Sequence, residues 1–159
     1  MKKIAIVNQK GGVGKSTVTQ NLAVCLTRLE KKILCIDSDP QASLTSAFGY
    51  NSDELDNTLP FLLEKHLNKE PANLKDFMIK TSEGVYLLPC DIRLTNIDRT
   101  LSNIVARELF YKKASKEIDN LKLDYILIDA PPYTSLIVNN ILAYAEGIII
   151  PVSPDFLTL

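Results

Sequence analysis

The segment Lys10-Gly11-Gly12-Val13-Gly14-Lys15-Ser16-Thr17 gathers two ammonium groups, two hydroxyls and three glycines within one short stretch. Glycines let a backbone turn tightly and aim successive N–H groups at one anion. A helix starting at Lys15 adds the positive end of its dipole to that spot. In such an arrangement Gly11, Gly12, Val13, Gly14, Lys15, Ser16 and Thr17 cradle a polyphosphate. Lys15 reaches its β- and γ-phosphates and the Ser16 hydroxyl ligates Mg²⁺. The strict form of the pattern carries a glycine five residues before Gly14, where this chain has Gln9, and a second lysine, Lys10, stands at the loop entrance. Three carboxylates are candidates for holding the cation and orienting water: Asp37 and Asp39 in Asp37-Ser38-Asp39-Pro40-Gln41, and Asp129 in Leu127-Ile128-Asp129-Ala130-Pro131-Pro132. Asp129, ending an apolar run, can hold Mg²⁺ through water, and a carboxylate beside the γ-phosphate can polarise an attacking water. The alternative for each is a strand-end turn or cap.

These residues need a scaffold that brings them together. Lys3–Asn8, Ile33–Ile36, Tyr125–Ile128 and Gly147–Val152 are short apolar runs that read as buried strands. Lys15–Leu29 has apolar residues at 18, 22, 25, 26 and 29, a helical period. A short helix is expected over Ala42–Phe48, closed by Gly49. Residues 50–76 are helix-prone in pieces, with Pro60 and Pro71 as breakers. Phe77–Lys80 and Val85–Pro89 read as a hairpin or as two short strands, while Leu94–Leu121 and Thr134–Ala145 read as helical, the former broken near 100–103. Continuous Ile/Leu/Val strands alternating with helices predict an α/β fold, a doubly wound, mostly parallel sheet covered on both faces. Candidate residues then lie at the carboxyl ends of parallel strands, where such sheets bind ligands.

Composition narrows the field. The chain has 159 residues, 46% of them hydrophobic, and a net charge of −1. That is a globular composition, and the charge balance argues against a dedicated nucleic-acid-binding domain. No apolar run approaches the roughly 20 residues that span a bilayer. Three cysteines without a secretion signal point to a reducing compartment, the cytoplasm. Cys25 and Cys35 are expected as buried core thiols, and Cys90 has no cysteine partner at metal-ligand spacing. His66 is expected to be solvated. Residues 93–122 carry seven Lys/Arg and four acids, which reads as a solvated helical surface, with contact to DNA phosphates as the alternative.

The phosphate loop resembles the deviant Walker A loop of the ParA/MinD class of P-loop ATPases. Asp37-Ser38-Asp39-Pro40-Gln41 resembles the second acidic motif of that class, and Leu127-Ile128-Asp129-Ala130-Pro131-Pro132 its Walker B motif. The resemblance implies a P-loop NTPase fold, ATP and Mg²⁺ as ligands, and slow, partner-stimulated ATP hydrolysis. Lys10, Lys15 and Asp39 are implied as catalytic, with Ser16, Asp37 and Asp129 at the metal. Lys10 is implied to cross a dimer interface onto the partner's ATP, which makes the homodimer ATP-dependent. Asp39-Pro40-Gln41 favours the ParA/Soj partition branch, with DNA and a ParB-like stimulating protein as partners and no stable membrane insertion. A MinD-like membrane-cycling ATPase and a nucleotide-binding module with little turnover are the alternatives. Members of the class continue past the strand at Gly147–Val152. The resemblance therefore implies that residues 1–159 are a single P-loop domain, incomplete at its carboxyl side, and that most of the DNA-facing surface lies elsewhere. The apolar, uncapped run Phe156–Leu159 fits that expectation.

Overall fold

A computed structural model describes residues 1–102, 107–114 and 118–154. Strand β1 (Lys2–Ile6) leads through the glycine loop into helix α1 (Lys15–Arg28), then β2 (Ile33–Asp37) and α2 (Ser43–Ala47). Helix α3 (Leu59–Leu67), strands β3 (Ile79–Lys80) and β4 (Tyr86–Leu88) and helix α4 (Leu94–Leu101) follow. Helix α5 (Phe110–Ala114), β5 (Tyr125–Asp129), α6 (Leu136–Tyr144) and β6 (Gly147–Ile149) complete the described elements. The strands form one sheet in the order β3-β4-β2-β5-β1-β6. Every neighbouring pair is parallel except the β3–β4 hairpin.

The strand order follows from what each run can bury. All five residues of β2 are buried, so it needs cover on both faces. Leu34 and Ile36 join Ala5, Ile126 and Ile128 on the face covered by α3, α4 and α6. Ile33 and Cys35 join Ile6, Leu127 and Ala23 of α1 on the opposite face. This alternation makes the sheet doubly covered, as the unbroken apolar runs require.

Several sequence expectations are refined. Pro60 does not break a helix; it sits in the first turn of α3, where its missing N–H costs nothing because that donor has no intrahelical acceptor. Strand β6 stops at Ile149, short of Val152, since Pro151 cannot donate to a ladder. Ser135 starts α6 by accepting the Val138 N–H at 3.2 Å. Cys25 is exposed, not core: α1 buries the line Lys15, Thr19 and Ala23, narrower than the apolar stripe predicts. Cys35 is buried as expected, and Cys90, for which the sequence set no expectation of burial, is buried too. His66 is half-buried, not solvated, and its Nδ1 has no partner among the described residues. Lys116 and Glu117 of the expected basic surface, and the ending Phe156–Leu159, lie outside the described residues.

The segment after β4 is tied to the start of α3 by one buried carboxylate. Asp91 Oδ1 accepts from Arg93 N at 2.7 Å and Arg93 Nε at 3.0 Å. Asp91 Oδ2 accepts from Arg93 Nη2 at 2.8 Å and from the Thr58 hydroxyl. Burial pushes the Asp91 carboxyl up, but hydrogen bonds from Arg93 and Thr58 outweigh it and leave the group below its ordinary value. A lowered folded value means that this carboxylate stabilises the fold above its unfolded pKa of about 4 and that the contribution fades as pH falls through the folded value. Asp91→Asn is expected to cost about 1–3 kcal/mol at pH 7, with the gap to the parent closing in acid. Urea denaturation of both proteins at neutral and acid pH checks this.

Candidate active site

Pairing sets the site before any side chain is considered. In the register of β5, Asp129 lies opposite Ile6 of β1 on one side and Asp37 of β2 on the other. Neighbouring strands are about 4.8 Å apart, so the two carboxylates stand side by side at the carboxyl edge, beside the loop that leaves β1. Both point to the α1 face, by alternation from Cys35 and Leu127.

The loop takes its shape from two left-handed residues, Gly12 at φ 75° and Gly14 at φ 87°. Gly14 caps α1 with no side-chain hydrogen bond, and the first turn of the helix carries no acid. The amino-terminal amides of α1 are therefore left to a ligand. Lys15 is 7% exposed and its Nζ donates to the Lys10 carbonyl at 3.3 Å. The Ser16 hydroxyl donates to Asp129 Oδ2 at 2.5 Å, across 113 residues. Lys10 is half-buried, and its N–H donates to Asn8 Oδ1 at 2.9 Å. Asn8 Nδ2 in turn donates to the Pro151 carbonyl at 2.8 Å. Gln9, in place of the usual glycine, reaches sideways to Thr134 Oγ1 at 3.2 Å.

Asp37 is fully buried. Its Oδ2 accepts from Thr45 N at 2.8 Å and Thr45 Oγ1 at 2.7 Å, and its Oδ1 from Asp39 N at 3.1 Å. Burial pushes its carboxyl up to about 6 against the pull of the Thr45 bonds. Asp39 accepts the Gln41 N–H at 2.9 Å through Oδ1. Asp129 is pushed up to about 7, chiefly by burial, with Ser16 opposing and the charges of Asp37 and Asp39 adding to the rise. Its Oδ1 is buried with no hydrogen-bond partner among the described residues. An orphaned buried carboxylate oxygen beside a serine hydroxyl is a donor set that fits a hard divalent cation. Among the described residues no group of three or more His, Cys, Asp or Glu could cage a metal unaided. Mg²⁺ is bound through one or two carboxylates plus substrate phosphates and water, a set to which Asp129 and the Ser16 hydroxyl can contribute.

Every residue expected at the site from sequence thus stands at this one edge: the loop 11–17, Lys10, Asp37, Asp39 and Asp129. Other members are invisible to motif reading. Thr45 clamps Asp37 from α2, and the buried Tyr111 hydroxyl lies 3.1 Å from Ser38 Oγ. Asn8 had a signal: an Asn two residues before an amide that needs an acceptor is an Asx-turn pattern. Thr45 and Tyr111 had none.

Comparison with known proteins agrees with this geometry. The AAA domain family (AAA_31) matches residues 1–159. Sporulation initiation inhibitor protein Soj of Bacillus subtilis is 33% identical over 159 residues, covering 99% of this chain and 60% of Soj. The crystal structure of cobyrinic acid a,c-diamide synthase from Mycobacterium smegmatis, with bound ATP analog and magnesium, superposes with a TM-score of 0.91 at 30% identity, over 100% of this chain and 63% of that one. A putative plasmid partition protein from Borrelia burgdorferi bound to AMPPNP gives 0.81 at 28% identity, over 99% and 65%.

The loop geometry has a measurable cost. A Cβ at Gly14 or Gly11 meets nothing within 4 Å, and only Gly14 has positive φ. Gly14→Ala is expected to lose about 1–2 kcal/mol through backbone strain alone, and Gly11→Ala distinctly less. Thermal or urea unfolding of the two variants separates strain from crowding.

Proposed function

The chain belongs to the AAA domain (AAA_31) family and to the ParA/MinD class of P-loop ATPases, and from that premise we propose that it binds ATP with Mg²⁺ and hydrolyses it in a partition cycle. The observation that carries the proposal is the meeting of Lys15, Ser16 and Asp129 at one strand edge, with Asp129 Oδ1 left without a hydrogen-bond partner among the described residues. The chain spans 60% of the Soj protein that it matches, so the activity of the whole protein is part of the proposal.

In this reading the amides of Gly11–Thr17 and the Lys15 ammonium bind the phosphates. Lys15 leaves the Lys10 carbonyl to do so, a small change because that bond is long at 3.3 Å. Ser16 and Asp129 would hold the Mg²⁺, which would supply positive charge to the phosphate oxygens. Asp37 keeps the Asp39 turn in place and faces the cation's water shell. Asp39 orients the attacking water. Lys10 lends its ammonium to the ATP of a second subunit, stabilising charge in trans and making the homodimer depend on ATP. Asp39-Pro40-Gln41 and the likeness to the Borrelia plasmid partition protein favour partition of DNA, with a ParB-like stimulator, over other cycles of the class. The cobyrinic acid synthase neighbour is named for a different chemistry, so DNA dependence is the discriminating measurement. Among the described residues no helix is long and apolar enough to cross a membrane.

Lys15→Ala is expected to weaken ATP binding and to cut hydrolysis by about 10²-fold or more. Asp39→Ala is expected to keep ATP binding and ATP-dependent dimerisation while losing hydrolysis. Fluorescent-nucleotide titration, sedimentation and phosphate release read these three properties. Parental turnover in Asp39→Ala removes Asp39 from the mechanism, and turnover indifferent to DNA removes the partition reading while leaving the ATPase intact.

A further inference from the structure

At the opposite edge of the sheet the chain builds a second concave site. A cavity of about 350 Å³ lies where β2, β4 and β5 begin and β3 ends. Four lysines ring it: Lys32 before β2, Lys75 after α3, Lys80 closing β3 and Lys122 before β5. They come from four separate segments, so no run in the sequence announces them. All four are exposed. Among the described residues none of the four ammonium groups makes an ion pair. Among the described residues no carboxylate lines the cavity. Asp124 adjoins its rim, where Oδ2 accepts the Lys32 N–H at 2.8 Å. The rest of the lining is apolar or aromatic: Met78, Leu123 and Tyr86 among them, with Lys80 Nζ 5.9 Å from the Tyr86 ring centroid.

Four unpaired like charges around one concavity repel each other, and a recess with low-dielectric walls focuses their field on whatever enters. The complement is a compact ligand with several negative charges. Lysine ammonium groups suit phosphate, binding it as point charges, and a polyphosphate carries several negative charges in a small volume. The volume falls at the small end of the range for ligand pockets, about 300–1,000 Å³. The apolar wall and Tyr86 ring offer contact to a carbon ring. A nucleic-acid backbone asks for a groove that continues from one phosphate to the next, whereas these lysines close around one cavity. We infer that this is a binding site for a phosphorylated small molecule of nucleotide size, with its phosphates among Lys32, Lys75, Lys80 and Lys122 and its ring against Tyr86. The site is separate from the phosphate loop, which stands at the other ends of β2 and β5, about 16 Å of strand away.

Amide NMR resolves the two sites in the same protein. With the phosphate loop first saturated with a non-hydrolysable ATP analogue and Mg²⁺, pyrophosphate and then ADP are titrated in. Saturable shifts are expected at the Lys32, Lys80 and Leu123 amides, with ADP the tighter ligand and moving the Tyr86 ring protons. The pair Lys75→Glu and Lys122→Glu, both on exposed side chains, is expected to weaken these shifts at least about tenfold while those of Gly12–Lys15 stay as they were. The inference is overturned by the absence of pocket shifts up to about 10 mM ligand, or by shifts that survive the charge reversal. Shifts produced by single-stranded DNA but by neither small anion overturn it as well. ADP binding no tighter than pyrophosphate removes the ring contact from it.

Discussion

Two carboxylates buried side by side are the constraint around which this molecule is organised. Asp37 and Asp129 are neighbours in the β2–β5 register and together are almost wholly removed from water. A buried charge without partners is untenable, so the surroundings must answer it. For Asp37 the answer is internal: the Thr45 amide and hydroxyl and the Asp39 amide occupy its oxygens. For Asp129 it is incomplete. Ser16 meets one oxygen and Lys15 lends charge from the helix end, while the other oxygen has no hydrogen-bond partner among the described residues. Burial pushes the Cys35 thiol, behind the two carboxylates on the same face, well above its ordinary value, and the charges of Asp129 and Asp37 add to the rise. The glycine loop, the short α2 and the placement of α1 are the means by which the chain tolerates this pair.

The sheet and its chemistry were legible to different degrees. Strands such as Ile33–Asp37 and Tyr125–Asp129 announce themselves because burial on both faces demands unbroken apolar runs. Lys10–Thr17 announces itself because few sequences outside an anion cradle combine those glycines with Lys15 and Ser16. Pro60 misled because proline has opposite meanings at the first turn of a helix and in its interior. Cys25 misled because a periodic stripe marks a helix without saying how much of it the sheet covers. Thr45 and Tyr111 were hidden for another reason. Their contacts with Asp37 and Ser38 arise from the packing of α2 and α5, and threonine and tyrosine at these spacings carry no local signal.

The two edges of the sheet differ in electrostatic character. Buried carboxylates, faced by Lys15 and the start of α1, gather where the parallel strands end, and exposed lysines ring a cavity where β2, β4 and β5 begin. Each side is assembled from residues far apart in sequence, and each leaves something unsatisfied: a bare oxygen at one edge, unpaired ammonium groups at the other. Between them the same strands, β2 and β5, form the centre of the core. The Asp91–Arg93–Thr58 cluster stays outside both sites, and its bonds are fully used in joining α3 to the segment after β4.

The insertion of β5 between β1 and β2 has a consequence for biogenesis. Residues 2–6 and 33–37 do not pair with each other; residues 33–37 can take 86–88 on one side, but the two strands are joined only by residues 125–129. The glycine loop leaves the ribosome early, yet nothing holds it against a sheet until most of the chain has followed. Such non-local pairing makes folding slow, since the entropy of closing a long loop is lost before any contact rewards it. In the interval the strands Lys2–Ile6 and Ile33–Asp37 present unpaired, apolar edges, the species that chaperones recognise. The arrangement that makes the site compact in space thus makes it late in time, and nucleotide can be grasped only by a chain whose central strand has been delivered.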